Sequence, residues 1–171
     1  MTKSALALTL ALAAAGCAAN PPASSVSDPS ANHVVQGALT EDQVIAEITA
    51  LGGTVTKDPN SPGNPVIQIT FRDVPGVTDA ALRHLPALKH LQYLDLANTQ
   101  VTDGGLTYIK QLSELTNLEL QDTQVSDAGL PNLLALTKLK LLGLQRTKVT
   151  DAGEANLQKQ MPNVTIDRRF E

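Results

Sequence analysis

The sequence predicts an α/β solenoid, with a short parallel sheet on the concave side and short helical segments on the convex side. Three observations carry this. The stretches NTQVTDGGL at 98–106, DTQVSDAGL at 122–130 and RTKVTDAGE at 146–154 begin 24 residues apart (122 − 98 = 24; 146 − 122 = 24). Before each, leucines alternate two apart, as Leu94 and Leu96, Leu118 and Leu120, and Leu142 and Leu144, the period of a half-buried strand. From the end of the first of these stretches toward the second, Leu106, Ile109 and Leu112 then recur at helical spacing. No single coil can bury both stripes, whereas stacked coils bury them together.

From the N-terminus, MTKSALALTLALAAAGC carries one cation, Lys3, then an apolar run from Ala5 to Ala15. That run is shorter than the ~20 residues that span a bilayer, and residues 1–16 read as a processing segment. It closes on Ala14-Ala15-Gly16-Cys17. This resembles the bacterial lipoprotein signal, whose cleavage box ends in a small residue and a cysteine, with Ala14 where that family most often has leucine. The resemblance implies lipidation of Cys17 and a membrane anchor in the bacterial cell envelope. Ala18, in place of an aspartate after the cysteine, implies the outer membrane, on the periplasmic side. Cys17 is the only cysteine, so no internal disulfide is expected. From Cys17 to residue 37 the chain is rich in Ala, Ser, Pro and Asn without apolar periodicity, the composition of a disordered linker.

Residues 38–65 are expected to cap the solenoid. Thr40 and Gln43 match a capping box, and Val44, Ile45, Ile48 and Leu51 share one helical face. Gly52-Gly53 stops that helix. A short extended run at 54–57 and the loop DPNSPGNP follow, then VIQITF at 66–71 with the alternation of a strand.

Residues 66–171 carry the repeat and a C-terminal cap. The frame LxxLxLxxTxV[ST]DxGLxxLxxL resembles the leucine-rich repeat, with Thr99, Thr123 and Thr147 where that family usually has asparagine. Their hydroxyls are expected to bond the backbone of the neighbouring coil. Thr102, Ser126 and Thr150 precede the convex segments, and each, or the Asp103, Asp127 or Asp151 beside it, suits a helix N-terminus. Calcium binding by these carboxylates lacks the expected support of a glycine-rich loop or paired Asp-x-Asp. In the last copy Glu154 replaces the leucine of the others, marking a partly uncovered coil, and Val164 and Ile166 supply a final strand whose edge is kept wet by Asp167, Arg168 and Arg169.

The chain has 13 cations and 17 acids. Without Lys3 the balance is 12 − 17 = −5, which argues against nucleic acid as a partner. No nucleophile, metal or phosphate-loop motif appears, so neither enzymatic activity nor a cofactor is expected. His84 and His90 are expected to be solvated surface residues. Function therefore falls to the concave face, where Asp95 and Glu119 should lie side by side about 4.8 Å apart. With Tyr93, Asn117, Gln121 and Gln145 they form a candidate contact patch for a basic segment of a protein partner, the pair otherwise being a solvated acidic face. The expectation is a monomeric, non-enzymatic binding module. The alternatives are a structural spacer or cell-wall organiser, and, from the TDxGLxxL half-repeat alone, an F-box-like substrate receptor.

Overall fold

The structure is a computed structural model and describes residues 39–168. The processing segment, Cys17, the linker and Arg169 lie outside the described residues. Among the described residues no helix is long and apolar enough to cross a membrane.

Helix α1, Glu41–Ala50, starts as the sequence dictates. The Thr40 hydroxyl accepts from the Gln43 N–H at 3.4 Å, and Gln43 Oε1 accepts from the Thr40 N–H at 2.9 Å. It ends in a Schellman arrangement: Gly52 has φ +92°, and the Gly53 N–H donates to the Ile48 carbonyl at 2.9 Å. Val44 and Ile48 are buried, but Leu51, expected on the same face, is 42% exposed. The turn explains this. It tucks Gly53 against Phe71 and Ile48, where a Cβ would come within 2.8 Å of both side chains, and leaves Leu51 outside.

Strand β1, Thr54–Lys57, pairs antiparallel with β2, Val66–Thr70, with an irregularity between Thr56 and Lys57 that blunts this edge. From β2 onward the sheet is parallel and in sequence order through β3 (Tyr93–Asp95), β4 (Asn117–Glu119), β5 (Leu141–Gly143) and β6 (Thr165–Asp167). One outward row is Gln68–Tyr93–Asn117–Leu141–Thr165, and the next is Thr70–Asp95–Glu119–Gly143–Asp167. The inward residues between them, Ile69, Leu94, Leu118 and Leu142, are each 0% exposed. Burying one such leucine stabilises the fold by about 2 kcal/mol, and Leu118→Ala should cost about 3 kcal/mol once the cavity is included.

The convex side holds α2 (Asp79–Leu82), α3 (Asp103–Ile109) and α4 (Asp151–Gln160), with 3-10 turns at Leu85–Ala87 and Leu130–Ala135. Leu106, Ile109 and Leu112 point inward as their spacing predicted. The third coil departs from α-helix, because Pro131 removes an N–H and disfavours the α conformation at Leu130; the Ser126 hydroxyl still accepts from the Ala128 N–H at 3.3 Å, as its position predicted. The threonines also differ from expectation. Thr99, Thr123 and Thr147 donate to Leu96, Leu120 and Leu144 carbonyls at 2.7, 2.7 and 2.8 Å, three residues back in their own coil. A hydroxyl on so short a side chain meets that carbonyl first, and its one proton is spent there.

The last coil is closed by an ion pair. Arg168 bonds Asp151 at 2.8 Å, Glu154 at 3.1 Å and the Val149 carbonyl at 3.0 Å. Arg168 is thus folded onto the coil, its side chain 20% exposed, and does not serve as a wet edge charge. Glu154 holds the leucine position because a cation reaches it.

Candidate concave binding face

The concave face is built by side chains that the parallel register sets beside one another. Tyr93 and Asn117 are half-buried neighbours in the first row. The Asn117 side-chain oxygen accepts from the Thr116 hydroxyl at 2.8 Å. In the second row Asp95 and Glu119 are paired by register, as the sequence indicated. They are not a free acidic pair.

Asp95 has a side chain only 4% exposed. Arg72 donates to its Oδ2 at 2.8 Å, and the Ala97 N–H donates to its Oδ1 at 3.0 Å. A carboxylate buried this deeply must be paired, and Arg72, at the end of β2, is the group that pairs it. The same bond raises the Arg72 pKa, against a smaller opposing effect of burial. Burial, followed by the charges of Asp95 and Glu119, raises the Tyr93 hydroxyl. The reading of a solvated acidic face is therefore overturned at Asp95, whose carboxylate is taken up by Arg72 and the Ala97 N–H.

Glu119 is different. Its carboxylate accepts from the Gln121 amide nitrogen, and the two side chains lie over Gly143, filling the space a Cβ would need. Burial raises its pKa, the Gln121 bond lowers it, and Asp95 raises it again. The oxygens Gln121 Oε1 and Gln145 Oε1 are buried and have no hydrogen-bond partner. Each such acceptor costs about 1–3 kcal/mol relative to a satisfied one, so this half of the face is held short of full hydrogen bonding.

A row of tight turns borders the face. Asp73, Asn98, Asp122 and Arg146 all have left-handed backbones, with φ 61°, 55°, 55° and 51°. Asn and Asp tolerate that region better than other non-glycine residues. Asn98 donates to Asp73 at 2.9 Å and Arg146 Nε to Asp122 at 2.6 Å, so the turns are tied in pairs. The second bond holds the Asp122 pKa down.

The Thr/Ser-Asp motif does more than cap helices. Asp79 accepts from the Thr102 N–H at 2.8 Å and the Thr102 hydroxyl at 2.6 Å. Asp103 does the same to Ser126 at 2.7 and 2.6 Å, and Asp127 to Thr150 at 2.8 and 2.6 Å. Each carboxylate therefore grips the next coil. The glycine two residues past each of Asp103, Asp127 and Asp151 makes room for the aspartate of the preceding coil: a Cβ on Gly105, Gly129 or Gly153 would overlap Asp79, Asp103 or Asp127. The first coil follows no such motif aspartate, and there the glycine is replaced by Ala81 and the Thr78 side chain makes no capping bond. Sequence reasoning missed this link, although the pairing of Asp with a glycine exactly where a preceding Asp exists was a readable sign.

His84 is not merely solvated. Its Nδ1 lies 2.6 Å from Glu47 Oε2, tying the first coil to α1. Among the described residues no group of three or more His, Cys, Asp or Glu could hold a metal ion.

With this geometry in place, comparison with known proteins identifies the fold. A leucine-rich repeat family model matches residues 87–110. The actin-binding site 2 region of leiomodin-1 superimposes with a TM-score of 0.52 at 19% identity, covering 76% of this chain and 79% of that one, which shows the shared fold. An internalin C2 from Listeria monocytogenes matches at 30% identity and TM-score 0.43, over 51% of this chain and 36% of that one. A leucine-rich repeat protein from Leptospira interrogans matches at 24% identity and TM-score 0.41, over 50% and 21%. The chain thus spans little more than a third of the internalin it matches. No match was found among curated proteins. The described residues form a leucine-rich repeat solenoid.

Proposed function

We propose that this chain is a non-enzymatic protein-binding module that engages an extended polypeptide on its concave face, tethered to the bacterial cell envelope through a lipid on Cys17. Solenoids of this kind present rigid, extended concave surfaces to partners. The observation that supports the reading here is the pair of buried, unpartnered amide oxygens, Gln121 Oε1 and Gln145 Oε1, on an otherwise well-packed face. Native structures leave few such groups, and those they leave call for a reason. A partner's hydrogen bonds supply one. In the first row of the same sheet Tyr93 offers an aromatic anchor of the type enriched at interfaces.

The test uses the full chain and its double variant Tyr93→Ala/Asn117→Ala, cross-linked in intact envelopes, with the convex variant Lys110→Ala as control. Loss of a cross-linked partner in the face variant alone supports the reading. Equal retention by the face variant removes it. For the tether, Cys17→Ser should abolish labelling by a clickable palmitate and release the chain to the soluble fraction; undiminished labelling would eliminate the anchor.

A further inference from the structure

We propose that the partner presents an arginine side chain, and that this arginine docks over Glu119 between β4 and β5. The inference rests on the concave-face reading and adds the partner's chemistry. Acceptors outnumber donors at this spot. Glu119 holds one hydrogen bond, from the Gln121 amide nitrogen. The cation of the neighbouring rows, Arg72, is committed to Asp95. Arg146, in the turn row, is committed to Asp122. Two further polar atoms of this half of the face, Gln121 Oε1 and Gln145 Oε1, are buried acceptors without donors.

A guanidinium matches this set. It offers five N–H donors in a planar fork and carries its charge at every physiological pH. Lysine offers a point charge and cannot reach a carboxylate and two flanking amides in one plane. On entry the arginine takes the place of the Gln121 nitrogen at Glu119. Rotation of the Gln121 amide then turns its unpaired oxygen to the guanidinium, and Gln145 does likewise. Gly143 contributes by having no side chain, so the carboxylate lies against β5 and the approach from above is not blocked by a Cβ. Asp95 plays no direct part, since its oxygens are already occupied.

The experiment titrates the full chain in detergent with blocked Gly-Gly-Arg-Gly-Gly, and separately with the same peptide carrying citrulline, the neutral isostere of arginine. Side-chain amide resonances of Gln121 and Gln145 are followed by nitrogen–proton NMR. The expected result is movement of both with the arginine peptide and binding weaker by at least about tenfold in Glu119→Gln, with citrulline inert. Equal shifts with citrulline, unchanged binding in Glu119→Gln, or no shift at all overturns the proposal. Arginine-peptide shifts confined to Tyr93 and Asn117 would overturn it while leaving concave-face binding standing. Circular dichroism of Glu119→Gln verifies folding, and the more conservative Gln145→Glu, which adds a carboxylate beside the site, should tighten binding.

Discussion

The inter-coil grip of Asp103 on Ser126 can be measured through the glycine that accommodates it. Asp103→Ala removes two hydrogen bonds to a carboxylate, of 2.7 and 2.6 Å, at a half-buried site. At about 1 kcal/mol each after allowance for exposure, the loss is about 2 kcal/mol. Gly129→Ala places a methyl on the same carboxylate and 2.8 Å from Leu106 Cδ1. The carboxylate must leave, forfeiting the same ~2 kcal/mol, and pressure on Leu106 adds about 1 kcal/mol. In the double variant the carboxylate is already gone, so only the ~1 kcal/mol from Leu106 adds to the ~2 kcal/mol from Asp103. The singles then sum to about 5 kcal/mol and the double costs about 3 kcal/mol, a coupling of about 2 kcal/mol. Urea unfolding followed by far-ultraviolet circular dichroism, with equal slopes required for all four proteins, reads this directly. Additivity within about 0.5 kcal/mol would mean that the glycine is not there for the aspartate, and the account of the repeat given above would fail.

Other outcomes follow from the same geometry. Gly153 lies within α4 and its absent Cβ would meet only Asp127 among its nearest atoms, so Gly153→Ala should destabilise the wild type yet stabilise Asp127→Ala by up to about 1 kcal/mol through helix propensity; thermal unfolding of the two backgrounds checks the change of sign. Asp95→Ala should cost about 2–4 kcal/mol in urea unfolding, since it breaks a bond to Arg72 and one to the Ala97 N–H, and Asp95→Lys should prevent folding, so charge reversal there is a poor probe of binding. A cost below about 0.5 kcal/mol would show the pair to be incidental. Burial raises the Glu119 pKa, so its ionisation opposes folding: the contribution is favourable at pH values below the usual glutamate range and is lost as pH rises through the raised folded value. Glu119→Gln should therefore be more stable than wild type at neutral pH, with the gap closing on acidification; a gap that widens in acid would reverse the assignment.

How much of this was legible follows from the kind of information each feature needs. The strand rows, the inward leucines and the α1 capping box are local or periodic, and Leu94, Leu118, Thr40 and Gln43 stand where spacing put them. The error at Asp95 came from treating an outward strand position as a solvated one. Its burial depends on Arg72, a residue 23 positions earlier that follows a strand with one extra residue before the next coil, and no single-coil pattern shows that the two meet. Leu51 failed similarly, because helical phase holds only until the chain turns, and the Gly52-Gly53 closure decides which residue is tucked in. The Asp–Ser/Thr–Gly linkage is the instructive case. Its parts were all visible, but they were assigned to one helix terminus because capping explains each residue alone. What capping leaves unexplained is the covariation within the chain: glycine in the three coils that follow an aspartate, alanine at Ala81 in the one that does not. A repeat protein carries its own controls, and the coil that follows no aspartate is the one that shows what the aspartate was for.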